Sequence, residues 1–194
     1  MTETTEISQR ARELFSELMD RSEIQLDLAY TALIFNDKAI ADDVTDLHKK
    51  IEQLYVEFEE LILKLAKQVE APEKLWSLLR TGDSVKEIVD SAQSLAESVL
   101  SGFPAHPILQ SIFESSKEAV SKIAVQEHSQ LDETTLEDIK LQDMTGMRVI
   151  CIKREDDWIY GPSGGTRIKG GDILVVKGPR SAENALRNLA DAHL

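Results

Sequence analysis

The chain has 194 residues, 42% of them hydrophobic and 29% charged, enough for one large domain or two small ones with a buried core. Its formal net charge of −13 argues against nucleic acid, which needs a basic stripe, and disfavours an anionic membrane surface. A single cysteine, Cys151, excludes an internal disulfide and a thiolate zinc site.

No stretch approaches the roughly eighteen apolar residues of a membrane span. The polar opening MTETTEISQR resembles neither a signal nor a transit peptide, so a cytoplasmic protein without membrane insertion is expected. Met1–Lys122 carries 23 of the 35 acids and 13 of the 22 bases, so the acidity is concentrated early.

Ile7, Ala11, Leu14 and Leu18 open a first helix that continues through LDLAYTALIF. Asn36-Asp37 breaks it, with Asn36 a plausible cap for the next helix. There Ile40, Val44, Leu47, Ile51, Leu54, Phe58, Leu61 and Leu65 alternate spacings of three and four, a continuous stripe along one side. Ala71-Pro72 opens a third helix whose stripe runs Leu75, Leu78, Gly82, Val85, Val89, Ala92, Ala96, Val99. Its members become small toward the end, so a neighbouring helix can approach closely there. Gly102-Phe103-Pro104 ends it, and Ile108, Ile112, Ala119 and Ile123 suggest a shorter fourth helix. Short connections make an antiparallel bundle the expectation for 1–122, ahead of a coiled-coil rod.

The pattern then changes. Two of the nine glycines, Gly82 and Gly102, precede residue 145; the other seven lie between Gly146 and Gly178. Thr134-Thr135-Leu136-Glu137 fits a capping box before a short helix. Met147–Arg154 reads as a buried strand enclosing Cys151, followed by a turn and a second strand, Trp158–Tyr160. Thr166–Ile168 suggests a brief strand and Ile173–Lys177 a longer one, and Ser181 would cap a last amphipathic helix. Residues 123–194 thus form a small α+β unit, making the whole chain α+β.

The stretch GPSGGTRIKGGDILVVKGP raises the question of a phosphate loop. Gly165 and Gly170 have the spacing, but Gly171 and Asp172 replace the required lysine and hydroxyl, and a strand follows. No dinucleotide fingerprint opens a helix either. The glycines are read as turn residues.

The order of these features, Val149–Arg154, Ile159 with Pro162, Ile168, Gly171-Asp172 and Ile173–Gly178, resembles the TrkA C-terminal domain, also called the RCK C-terminal domain. Ser129, Leu131, Thr135, Leu136 and Ile139 match its opening. The resemblance implies a cytoplasmic module of potassium channels and cation transporters that dimerises and, in some members, binds a cyclic dinucleotide or another small ligand. Its usual Rossmann partner domain is replaced here by a helical bundle, so the family's NAD or ATP site does not carry over.

That bundle resembles one three-helix unit of the PhoU family, through LDLAYTALIFNDKAIADDVTDLHKKIEQL and the motif from Lys86 through Asp90 to Glu97. Lys86 stands where that family has a metal-binding glutamate, while Asp90 keeps its place. Together the two resemblances imply a stand-alone, potassium-channel-related protein of prokaryotic type.

Three groups of side chains are candidates. The carboxylate pairs Glu23/Asp27, Asp42/Asp46 and Asp83/Glu87 each share a helix face and, with Asp90, would suit a divalent metal. Given Lys86, a solvated acidic face is the preferred reading. Arg148, Lys153, Arg154, Arg167 and Lys169, with the Gly161-Pro162 turn, would hold a small anionic ligand. Strand-edge protection is the alternative. Trp158 and Tyr160 put aromatic rings on one strand face, as core or dimer surface. His106 and His48 are assigned no role.

With no Ser/His/Asp or Cys/His set, a non-enzymatic regulator of potassium or cation transport is expected: a homodimer through its C-terminal domain, responding to a small ligand. The alternative is a PhoU-like metal-binding regulator of phosphate uptake or stress; a scaffold of heptad helices is the third.

Overall fold

The computed structural model describes residues 3–102, 108, 111–112, 115–155 and 157–192. His106 and the break at Phe103-Pro104 lie outside them. The chain divides into two compact units, Met1–Pro104 and Ala105–Leu194, upstream of the expected boundary at 122/123.

The first unit holds three helices: α1 (Glu3–Phe35), α2 (Lys38–Ala66) and α3 (Trp76–Leu100). Asn36 ends α1 with a left-handed φ of 48°. The cap of α2 is the next residue: the Asp37 carboxylate accepts from the amides of Ala39 and Ile40 at 3.0 and 3.2 Å. A 3-10 turn, Pro72–Leu75, precedes α3. The expected stripes are present, with one shift of phase. Along α2 the buried residues after Ile51 are Tyr55, Phe58, Ile62 and Leu65, so Tyr55 and Ile62 replace Leu54 and Leu61. A strict three-four alternation has a period of 3.5 residues, a straight helix 3.6, and the seam drifts accordingly. On α3 the close approach shown lies nearer its start than the expected end: a Cβ on Gly82 would meet Phe58 Cε1 at 2.9 Å.

The second unit is an antiparallel four-stranded sheet in the order β1-β4-β2-β3, made of β1 (Glu118–Ala124), β2 (Arg148–Arg154), β3 (Asp157–Tyr160) and β4 (Ile173–Pro179). Here the expected fourth helix is corrected. Ile108 and Ile112 are helical and exposed, but Ala119 and Ile123 lie in β1, whose burial alternates residue by residue. Spacings of four and seven mimic a helix, yet Ala119, Ser121 and Ile123 have the period of two of a strand with one buried face.

Two short helices, α4 (Leu136–Ile139) and α5 (Leu141–Thr145), lead into β2, and α6 (Glu183–Ala190) closes the unit. Thr135 rather than Thr134 caps α4, accepting from the Asp138 amide at 3.1 Å. α6 starts after a 3-10 turn at Arg180–Ala182 and has no side-chain cap, so Ser181 does not play that part. Thr166–Ile168 reduces to a single bridge between Arg167 and Thr135. The core lies on one sheet face, where Ile123, Ile152, Leu174 and Val176 meet Leu131, Met147, Ile168 and Leu186.

The glycines serve two purposes. Gly171 turns the chain at a φ of 88°. Gly178 lies within a strand, where a Cβ would stand 2.6 Å from the Gly146 carbonyl oxygen, so it permits close approach rather than a turn.

Candidate functional site

Strand register sorts the basic candidates. Antiparallel partners point to the same side, so Arg148 opposite Lys177, Cys151 opposite Val175, and Lys153 opposite Ile173 share one face of β2 and β4. β1 adds Lys122 opposite Val175 and Val120 opposite Lys177; β3 adds Tyr160 opposite Cys151 and Trp158 opposite Lys153. This is the face away from the Ile152–Leu174–Val176 core. Among the described residues it carries the bases Lys122, Arg148, Lys153 and Lys177, with Glu118 at the end of β1 as an acid. A bulge between Val149 and Cys151 puts Arg148 and Lys153 on one side despite their odd spacing. Cys151 is fully buried beneath these residues, as expected for a structural thiol. The rings of Trp158 and Tyr160 stack at 6.2 Å and 7°, and Lys153 Nζ lies 5.3 Å from the Trp158 ring centre, a cation–π distance.

Arg154 and Arg167 are placed differently. Arg154 points to the opposite side and grips buried Asp172 with two bonds of 2.9 and 2.8 Å, while Nη2 also donates to the Arg167 carbonyl at 2.8 Å. Asp172 further accepts the Lys169 amide at 2.8 Å. The bond to Asp172 raises the Arg154 pKa further. Asp132 ties the same loop from the other side, accepting the Gly170 amide at 2.7 Å and the His128 amide at 2.8 Å. Those two amides, His128 first, hold its carboxyl below the usual range. Arg167 donates to the Glu133 carbonyl, 53% of its side chain exposed. Gly161 turns at a φ of 53° and donates to Ile150 at 3.0 Å, followed by half-buried Pro162. The six ligand candidates are thus split: Arg148 and Lys153 join the aromatic face, Arg154 and Arg167 secure the loop before β4, and Gly161-Pro162 forms the turn after β3.

The carboxylates of the helical unit also separate. Asp42 is exposed, and Asp46 is exposed and paired with Lys49 at 2.9 Å, a bond that lowers its pKa. Asp83 accepts the Tyr55 hydroxyl at 2.5 Å; burial first, then this bond, pushes that phenol up. Glu23 and Glu87 are exposed, while Asp27 is buried.

Asp90 belongs to a cluster that the sequence reading missed. His48 and Glu52 of α2 face Lys86 and Asp90 of α3. Lys86 Nζ stands 2.9 and 3.1 Å from the two Asp90 oxygens and 3.3 Å from Glu52. His48 Nε2 lies 3.7 Å from Glu52 and 3.9 Å from Asp90. Behind the imidazole, the fully buried Gln25 of α1 places Nε2 3.4 Å from His48 Nδ1 and 3.3 Å from the Val89 carbonyl. Its Oε1 is buried with no partner among the described residues. The signal was available: the antiparallel register that sets 48 opposite 90 also sets 52 opposite 86.

Comparison with known proteins agrees with this division. The family model of the TrkA-C domain matches residues 120–191 and that of the PhoU domain residues 15–99. The chain carries a PhoU domain followed by a TrkA-C domain. It is 35% identical over 69 residues to the uncharacterized transporter sll0640 of Synechocystis, a match covering 36% of this chain and 11% of that transporter. Similar solved structures include the RCK_C domain dimer of S. agalactiae BusR in complex with c-di-AMP, at 20% identity and a TM-score of 0.36, covering 38% of this chain and 91% of that one. BusR in complex with its busAB-promotor DNA covers 88% and 95% at 17% identity and a TM-score of 0.35. The RCK C domain of the potassium transport protein KtrA with c-di-AMP covers 42% and 93% at 20% identity and a TM-score of 0.34. Among the described residues no helix is long and apolar enough to cross a membrane.

Proposed function

We propose that the chain is a non-enzymatic, cytoplasmic regulator of potassium or other cation transport. It dimerises through its TrkA-C domain and responds to a small anionic ligand such as a cyclic dinucleotide. A membrane channel or transporter is its partner, and ligand binding biases how the helical unit engages that partner. The observation that carries this reading is the sheet face of the TrkA-C domain. In an acidic chain it gathers Lys122, Arg148, Lys153 and Lys177 beside stacked Trp158 and Tyr160. Ammonium and guanidinium groups bond phosphates strongly, and flat aromatic surfaces accept a base.

Isothermal titration with cyclic dinucleotides, mononucleotides and inorganic phosphate tests it. Wild-type protein is expected to release heat with one of these, and Arg148→Gln with Lys153→Gln to weaken that binding about ten-fold or more. Absence of heat at high protein concentration, or unchanged affinity in the double variant, overturns the ligand assignment. Sedimentation of the full chain checks the dimer, which Trp158→Ala is expected to loosen.

A further inference from the structure

The PhoU resemblance implies a divalent metal on α3 at the positions of Lys86 and Asp90, and the seam does contain donors. One ligand atom each from His48, Glu52 and Asp90 lies within 4.8 Å of the others. Metal–ligand bonds of about 2.0–2.2 Å would need these atoms to converge on a common centre. The Lys86 ammonium instead bonds both oxygens of Asp90 and one of Glu52. A divalent ion there would have to take those oxygens from Lys86 while lying beside its positive charge. The residues present do not fit a metal.

We propose that Lys86 is the resident cation of this seam, so that α2 and α3 are joined without a metal, and that removing its charge turns His48, Glu52 and Asp90 into a transition-metal site. The anionic half of the site is intact, because Glu52 of α2 and Asp90 of α3 already meet at the Lys86 ammonium. As placed, Gln25 Nε2 faces both His48 Nδ1 and the Val89 carbonyl, so Nδ1 accepts and the neutral ring carries its proton on Nε2, toward the carboxylates. That proton disfavours a metal while Lys86 is present, and a metal in the uncharged variant would displace it. Imidazole and two carboxylates suit Zn2+ or Co2+ better than calcium or magnesium, which take oxygen ligands. The inference concerns the helical unit alone, so its failure leaves the ligand assignment in the sheet unit untouched.

The full chain is loaded with Co2+, desalted and assayed for metal and visible absorption. Wild type is expected to retain no cobalt, and its melting temperature to be unchanged by chelator. Lys86→Gln is expected to hold about one Co2+ per chain with ligand-field bands, and to melt higher with Zn2+ than without. The double variant Lys86→Gln with His48→Gln should lose both effects. Stoichiometric metal in wild type that His48→Gln abolishes overturns the proposal. So does a folded Lys86→Gln or Lys86→Met that takes up no more Co2+ than wild type. If neither variant folds, the wild-type His48 imidazole resonances decide: unmoved by Zn2+ they support a resident ammonium, and displaced they refute it.

Discussion

The two units bury their cores in opposite ways. In the PhoU unit each core residue follows from the one a turn away, so Ile40, Val44, Leu47 and Ile51 are buried in regular succession. In the TrkA-C unit the core joins residues from distant parts of the chain, such as Leu131, Ile152, Leu174 and Leu186. Error takes a different form in each. A helical reading drifts in phase while its element stays right, whereas a strand reading fails when an entire segment is given the wrong period.

The widest separation of outcomes concerns phase. Ile62 is 1% exposed and Leu61 only half-buried. Ile62→Ala is expected to cost about 3 kcal/mol in urea unfolding followed by helical circular dichroism, and Leu61→Ala less than half of that. Equal costs would restore the strict heptad seam. In the TrkA-C unit the comparable probe adds volume. Gly178→Ala sets a methyl against the Gly146 carbonyl and Met147, which is expected to cost about 2 kcal/mol. Faster hydrogen exchange along β4, with α2 unchanged, would locate that loss. A neutral Gly178→Ala would mean that the glycine is there for its conformation alone.

These contrasts show what a single sequence makes legible. Three helices, the strands around Ile152 and Val175, and the absence of a phosphate loop follow from period and punctuation. The division of the six ligand candidates does not, because Arg154 and Arg148 differ by orientation, which a bulge sets. Nor does the pairing of Arg154 with Asp172, which joins residues eighteen apart through a fold-dependent turn. β1 was obscured because Ile108, Ile112, Ala119 and Ile123 sit at helical intervals by coincidence. The alternation within Ala119–Ile123 was the better guide. His48 has no role legible in the sequence, and its meaning emerges only when α3 is laid beside α2.

Helix caps give a smaller contrast. Asp37 bonds two amides at the start of α2, so Asp37→Ala is expected to cost about 1 kcal/mol. Ser181 caps nothing in α6, and Ser181→Ala should fall within about 0.5 kcal/mol of wild type. Thermal unfolding of the two variants distinguishes them. A large loss in Ser181→Ala would mean that α6 begins at the residue the sequence first suggested.

The smallest effect, set by pH, separates the units by sign. Asp132 has its folded pKa lowered from 3.8, chiefly by the His128 amide and next by Gly170. Its contribution is therefore present above 3.8 and lost as pH falls through the lower folded value. Lys86 has its pKa raised from 10.5, first by its bond to Asp90, with Glu52 adding to it. That contribution is present below 10.5 and disappears as pH rises through the higher folded value. The TrkA-C unit should thus yield some stability in acid and the PhoU unit in alkali, both modestly because water and salt screen these groups. With Trp76 replaced by Phe so that Trp158 is the fluorophore, Asp132→Asn is expected to flatten the acid limb of fluorescence, and Lys86→Gln the alkaline limb of helical circular dichroism. If Lys86→Gln leaves the alkaline limb unchanged, the ammonium does not hold the α2–α3 seam, and the case for it as a metal's stand-in falls too.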